Sequence, residues 1–185
     1  LLAAGQSKRL KNENKLIKKF KNKFLINYSL NALIKSKVNK IIIVLGYQNK
    51  IVKKVIIKNK KNIFIINKKF NLGISSSIKT GLKKISKKDK GFIIVQSDMP
   101  FIKISDVNKL YQSIHKKNYL VHALKFKNKV GNPVGFKISI LNKFKKIKGN
   151  FGAKFMVKRL KKNTNFIKVS SEKIFRDFDY KKDFS

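Results

Sequence analysis

Short apolar runs alternate along this chain with stretches whose apolar positions recur every three or four residues. The short runs read as strands: Lys40–Leu45, Ile63–Ile66, Phe92–Gln96 and Tyr119–Leu124 are each rich in β-branched or aromatic residues. The periodic stretches read as helices: Leu25–Lys35, Ser76–Ile85 and Asp106–Lys116, with Ser105 placed to cap the last and Ser75 or Ser76 the one before it. Farther on, Pro133–Lys137 and Phe166–Val169 read as strands, and Ser139–Lys146 and Gly152–Lys162 as helices. Leu1–Ala4 reads as the tail of a first strand, and because no initiator Met precedes it, a truncated N-terminus is expected. Strands and helices in alternation predict βαβ units around a mostly parallel sheet. No repeat, linker or composition break interrupts the pattern, so residues 1–185 are expected to form a single domain.

Composition supports a folded domain. Hydrophobic residues make up 42% of the 185, including 15 Phe, which is the apolar material a disordered polycation lacks. The longest aliphatic run, Ile41–Leu45, is far shorter than the ~20 residues of a spanning helix, so a soluble cytoplasmic protein without a membrane partner is expected. The absence of cysteine excludes disulfides, thiolate nucleophiles and thiolate zinc sites. His115 and His122 remain as nitrogen ligands, one in a Lys-rich helix and one in a strand-like run, and neither is assigned a function. Any metal must sit mainly on oxygen.

With 47 basic residues against 8 acidic ones the net charge is +39, which alone points toward nucleic acid. Lys is spread over nearly every segment, however, and is enriched together with Asn, Ile and Phe, residues whose codons are built almost wholly from A and T. A binding footprint concentrates charge on one face, so a diffuse solvated surface is the simpler reading and no specific nucleic-acid partner is expected. A basic module that holds nucleic acid or another polyanion is the competing non-enzyme reading; it explains the charge and none of the motifs. Against this background every carboxylate is informative: Glu13, Asp89, Asp98, Asp106, Glu172, Asp177, Asp179 and Asp183 are the full set.

Three segments carry candidate chemistry. Leu2-Ala-Ala-Gly-Gln-Ser-Lys-Arg-Leu10 puts a strand end and small residues ahead of Ser7, Arg9 and Lys15. Small residues let backbone N–H groups approach a phosphate chain, and the cations neutralise it; Ala-Ala-Gly by itself is equally a plain turn. The loop lacks the Lys-Ser/Thr ending of a P-loop and the glycine spacing of a dinucleotide fingerprint. Phe92–Pro100 is a buried strand ending in Asp98, at the sheet edge where open α/β folds bind ligands and where a magnesium ligand is expected, or alternatively a turn-forming Asp before Pro100. Asp177-Phe-Asp179 sets two acids on one side of an extended segment, a possible second source of oxygen ligands.

Taken in order, Leu2–Leu10 with Lys15, Asn71–Leu82, Ser97-Asp-Met-Pro100, Gly131-Asn-Pro-Val-Gly-Phe136, Gly149–Lys154 and Asp177–Phe184 resemble the molybdenum cofactor cytidylyltransferases within the MobA-like nucleotidyltransferases. The resemblance spans nearly the whole chain. It implies a Rossmann-like three-layer α/β/α fold of the nucleotide-diphospho-sugar transferase kind. It implies nucleotide contacts from Leu2, Ala3, Ala4, Gly5, Ser7, Arg9 and Lys15, with Ser75, Ser76 and Ser77 beside base and ribose. Arg9, Lys15 and Asp98 are the implied catalytic residues, Asp98 with Asp179 or Asp177 the implied Mg²⁺ ligands, and Gly131, Asn132 and Pro133 the implied acceptor border. The implied partners are CTP, molybdopterin and a molybdoenzyme that receives the product; another nucleoside triphosphate, or a sugar or alcohol phosphate acceptor, is the neighbouring reading. Lys11 stands where the family usually has Gly, Asn150 where Asp is frequent, and Tyr180-Lys181 where Thr-Pro normally follows the acidic pair.

Overall fold

The computed structural model describes residues 1–10 and 13–184. After β1 (Leu2–Ala3), a short hairpin of β2 (Lys19–Phe20) and β3 (Lys23–Phe24) stands off the main sheet. The main sheet grows outward from β1. On one side lie β4 (Ile41–Leu45) and then β5 (Asn62–Ile66), both parallel to β1. On the other side is β6 (Gly91–Ile94), joined through Leu2, whose N–H donates to the Val95 carbonyl at 2.8 Å and whose carbonyl accepts from the Ser97 N–H at 3.2 Å. Beyond β6 come β8 (Lys129–Lys137), antiparallel to both its neighbours, then β7 (Val121–Phe126) and, parallel to β7, β9 (Thr164–Lys168). The order β5-β4-β1-β6-β8-β7-β9 is the mostly parallel sheet that the alternating pattern predicts.

Helices cover both faces. One core cluster takes α1 (Ile26–Ile34), α2 (Asn49–Val55) and α4 (Ile104–Lys116); the other takes α3 (Ile74–Leu82), a 3₁₀ segment over Ile138–Lys146 and α5 (Ala153–Arg159). In α1, Ile26, Leu30 and Leu33 are buried at spacings of four and three, the stripe that a surface helix lays on a sheet. β4 is apolar throughout because both its faces are covered: Ile41, Ile43 and Leu45 join the first cluster, and Val44 meets α3 where a β-carbon on Gly81 would come within 2.9 Å of it. The second cluster centres on the fully buried Phe136, which stacks on Phe92 and meets Phe144 edge-on. Among the described residues no helix is long and apolar enough to cross a membrane.

The caps differ from the expectation. Lys103, not Ser105, precedes α4, and the Asp106 carboxylate accepts the Lys103 N–H at 3.0 Å, so Ser105 falls inside the first turn. Neither Ser75 nor Ser76 caps α3; Gly73 does so with φ +90°, and the Ser76 hydroxyl donates back to the Gly73 carbonyl at 2.9 Å. The periodic stretch over Ser139–Lys146 closes as 3₁₀ rather than α, and the one over Gly152–Lys162 stops at Arg159. The hairpin β2–β3 and helix α2 are too short to show a period. Lys129–Gly131 lacks strand composition and is extended because it pairs with Leu124–Phe126.

His122 is fully buried on β7, with Nδ1 2.7 Å from the Ser113 hydroxyl and Nε2 lacking a partner. Burial, helped by Lys137, pushes its pKa from 6.5 down to about 4. The unfolded chain therefore binds the proton more readily, so His122 contributes stability that is present above pH 6.5 and lost as pH falls toward 4. Urea unfolding across that interval is expected to show this loss, and His122→Gln to flatten it. Phe136→Ala is expected to lower the unfolding free energy by about 3–5 kcal/mol in the same assay, as truncation of a well-packed aromatic does.

Candidate active site

The first loop leaves β1 at Ala4 and returns to the sheet edge at Lys15. Ser7 takes a left-handed conformation (φ +53°), and its hydroxyl accepts the Lys15 N–H at 3.1 Å, which sets where Lys15 begins. Asn14, buried, holds the next turn through its Oδ1, which accepts the Leu16 N–H at 3.1 Å. Gly46 at the end of β4 makes room for this loop: a β-carbon there would lie 2.7 Å from Ala4 Cβ and 2.9 Å from Phe70 Cβ.

These constraints deliver the Lys15 ammonium to two carboxylates at once, Asp98 Oδ2 at 2.6 Å and Asp179 Oδ1 at 2.6 Å; Arg9 also pairs with Asp179. Carboxylate oxygens of Asp98, Asp177 and Asp179 lie within 4.8 Å of one another. Burial is the largest influence on Asp98; it disfavours the charged form, outweighs Lys15, and raises the pKa. Burial also works to lower Lys15, but there the two carboxylates prevail and the pKa is raised. Asp98 Oδ1 is buried with no hydrogen-bond partner, so half of this carboxylate is still free to bind.

Asp179 comes from the C-terminal segment, which is pinned beside β6 by packing rather than by strand pairing. Phe178 is buried among Phe20, Phe101 and Phe184, and its N–H donates to the Asp98 carbonyl at 2.9 Å. Asp183 closes the turn, its Oδ2 accepting the N–H groups of Asp179 (2.9 Å) and Tyr180 (2.8 Å). Burial acts to raise the Asp183 pKa, but these two bonds and Arg176 outweigh it and lower the value. Tyr180, one of the departures from the family pattern, lies under the Arg9 guanidinium at 5.6 Å.

A cavity of about 430 Å³ opens over this cluster. Leu2, Ala4, Gly5, Ser7, Arg9, Lys15, Ser77, Asp98 and Asp179 line it, as do Lys8, Gln96 and Asn150. Ala3 is buried beneath it, and Asp177 is exposed at its margin. Ser75 and Ser76 are not in the lining: Ser75 is buried, its N–H donating to the Gly149 carbonyl at 3.1 Å, and the Ser76 hydroxyl donates to the Lys69 and Gly73 carbonyls. Gly131, Asn132 and Pro133 are buried on β8 outside the lining, with Asn132 reaching toward it through Gln96. Lys11 lies outside the described residues. Gln96, Phe70 and Gly46 escape the sequence reading, although Gly46 and Gln96 end strands that it identifies. A second cavity, of about 300 Å³, lies between Ile41–Ile42 and Gly91–Ile93. Its walls are mainly aliphatic, and the charged pair at its rim, Lys40 and Asp89, is self-satisfied at 2.7 Å.

The chain runs from β1 out to β5 and returns to lay β6 on the other side of β1. Open α/β sheets take ligands at such a switch point, above the carboxyl ends of the strands. Cations and carboxylates gathered there mark the candidate site of an open α/β domain. The chain belongs to the MobA-like NTP transferase domain family, whose model matches residues 1–164. It is 28% identical over 137 residues to the bifunctional protein GlmU of Clostridioides difficile (strain 630), a match covering 74% of this chain and 28% of that one. The chain thus spans less than a third of the length of the curated relatives it matches. Rv0371c of Mycobacterium tuberculosis H37Rv superposes with a TM-score of 0.84 at 16% identity, over 99% of this chain and 92% of that one. The 4-diphosphocytidyl-2C-methyl-D-erythritol synthase of Anaerococcus prevotii DSM 20548 superposes at 0.75 with 12% identity, over 99% and 90%. The family match ends before Asp177 and Asp179, so these two acids join the site by geometry alone.

Lys15→Met removes the cation that faces Asp98 and leaves that enclosed carboxylate without its partner. At pH 7 the variant is expected to lose about 3 kcal/mol of unfolding free energy, as when one partner of an enclosed ion pair is removed. The loss should shrink as pH is lowered and Asp98 takes up a proton, which denaturant titrations at two pH values can measure.

Proposed function

We propose that this protein transfers CMP from CTP to the terminal phosphate of molybdopterin, with release of pyrophosphate. The observation that carries the reading is the convergence of Lys15, Asp98 and Asp179 over the carboxyl ends of β1 and β6, in a cavity large enough for a nucleotide's phosphates. The donor set suits a hard divalent cation: three clustered carboxylates, one with an unpartnered buried oxygen, and no sulfur. Asp98 with Asp179 or Asp177 would hold Mg²⁺, which when bound supplies charge neutralisation to the phosphates. The structural neighbour Rv0371c of Mycobacterium tuberculosis H37Rv has been solved in complex with manganese, which supports the use of a divalent ion. The synthase named for a diphosphocytidyl product supports a cytidine donor.

The chemistry is in-line attack by an acceptor phosphate oxygen on the α-phosphorus. A new P–O bond forms there as the bond to the bridging oxygen breaks, and both bonding electrons leave with pyrophosphate. The acceptor oxygen is already ionised, so no general base is needed. Lys15 and Arg9 then act by position and charge. Bound triphosphate competes with Asp179 for both cations, and their charge offsets what accumulates on the departing pyrophosphate. The backbone of Ala4–Ser7 lies along the phosphates, and Ser77 alone of its triplet faces the cavity, beside the nucleoside. Gly131–Pro133 are proposed to back the acceptor side.

Asp98→Ala is expected to lower metal-dependent pyrophosphate release by about 100-fold or more, in the range seen when a transition-state charge contact is lost, with an unchanged far-ultraviolet circular dichroism spectrum. Pyrophosphate release at the wild-type rate by that variant refutes the assignment. Thermal-shift titration with CTP, GTP, ATP and UTP in Mg²⁺ is expected to single out CTP, and product analysis with molybdopterin tests the acceptor.

A further inference from the structure

Gln96 lies two residues before Asp98, just past the end of β6, and lines the same cavity. Its amide is held. Asn132 of β8, only 6% exposed, donates its Nδ2–H to Gln96 Oε1 at 2.6 Å. With that oxygen engaged, the side chain has N–H donors left to offer the cavity. Asn132 Oδ1 is itself buried without a hydrogen-bond partner, an unusual and costly state. It is the consequence of aiming Nδ2 at Gln96.

The cavity has two sides. α3 packs over β1, β4 and β5, and Ser77 opens from it on the side proposed for the nucleoside. Gln96 lines the cavity where β8 approaches it, held by Asn132 of the segment proposed to back the acceptor. We propose that Gln96 determines specificity by donating a hydrogen bond to a phosphoryl oxygen of the acceptor, and that Asn132 is the residue that positions it. This rests on the nucleotidyltransferase reading above. Lys15 and Arg9 attract any anion, whereas a neutral donor fixed at one point selects an oxygen at one place.

The test uses the full chain saturated with Mg²⁺ and a CTP analogue carrying methylene in place of the α,β-bridging oxygen, with inorganic phosphate titrated by calorimetry as the probe. The wild type binds phosphate saturably. Gln96→Leu is expected to weaken that binding about tenfold, as loss of one hydrogen bond to a charged group does. Gln96→Glu, which keeps the oxygen that Asn132 holds and replaces the donor by a charge, weakens it at least as much, while the Kd of the analogue is unchanged in both. Asn132→Asp weakens phosphate binding alone but adds nothing in the Gln96→Leu background; a purely structural role would add. Equal phosphate affinity in the wild type and both Gln96 variants overturns the proposal, as does a wild type that binds the analogue and shows no saturable phosphate binding. A wild type that fails to bind the analogue overturns the nucleotidyltransferase reading instead.

Discussion

The peptide groups of Leu1 and Leu2 hold the two halves of the sheet together. The Leu1 carbonyl accepts from Val44 on one side at 2.9 Å, while Leu2 exchanges bonds with Val95 and Ser97 on the other. The Leu2 carbonyl also accepts the Ser97 hydroxyl at 2.7 Å, so the residue before Asp98 is tied to the same strand from which the first loop departs. The distance between that loop and Asp98 is therefore set by sheet hydrogen bonds and not by flexible side chains. Everything at the site inherits this spacing: Ser7 places Lys15, Lys15 spans to Asp98, and Phe178 brings Asp179 to the same ammonium.

Electrostatically the site inverts the rest of the molecule. A chain with net charge +39 keeps few acids, yet it gathers three of them within a single oxygen cluster. Like charges at this separation are held only because Lys15 and Arg9 lie among them, and burial still keeps the Asp98 pKa raised. Such an arrangement suits a ligand that brings its own anions together with a divalent cation, since the cations can pass to the phosphates while the carboxylates pass to the metal. The second cavity, the smaller of the two, has no comparable set of converging charges.

Much of the fold was legible because burial imposes a period. The apolar run Ile41–Leu45 announces a strand covered on both faces, and Ile26, Leu30 and Leu33 announce a helix on one. Asp98 was legible because a lone acid closes a buried strand in a chain poor in acids. The caps at Ser105 and Ser75 were misread, since a serine near a helix start satisfies the pattern whichever residue turns the chain; Lys103 and Gly73 do so because Asp106 and the approach of Gly149 fix the turn there. Gln96 and Gly46 gave no signal of their own. Their importance lies in contacts with Asn132, Ala4 and Phe70, which are distant in sequence.

What the sequence by itself determined is the alternation of strand and helix, the supply of small residues and cations after β1, and the scarcity of acids that makes each one conspicuous. These are local quantities, written into hydrophobic period and composition. Only the tertiary structure decided that Asp179 joins Asp98 at the Lys15 ammonium, that Ser77 lines the cavity while Ser75 and Ser76 do not, and that Asn132 holds Gln96. Each of these is settled by packing between segments up to 164 residues apart, as for Lys15 and Asp179. Such a partnership depends on which hydrogen bonds and ring contacts can be satisfied together in three dimensions, and no period along the chain encodes it.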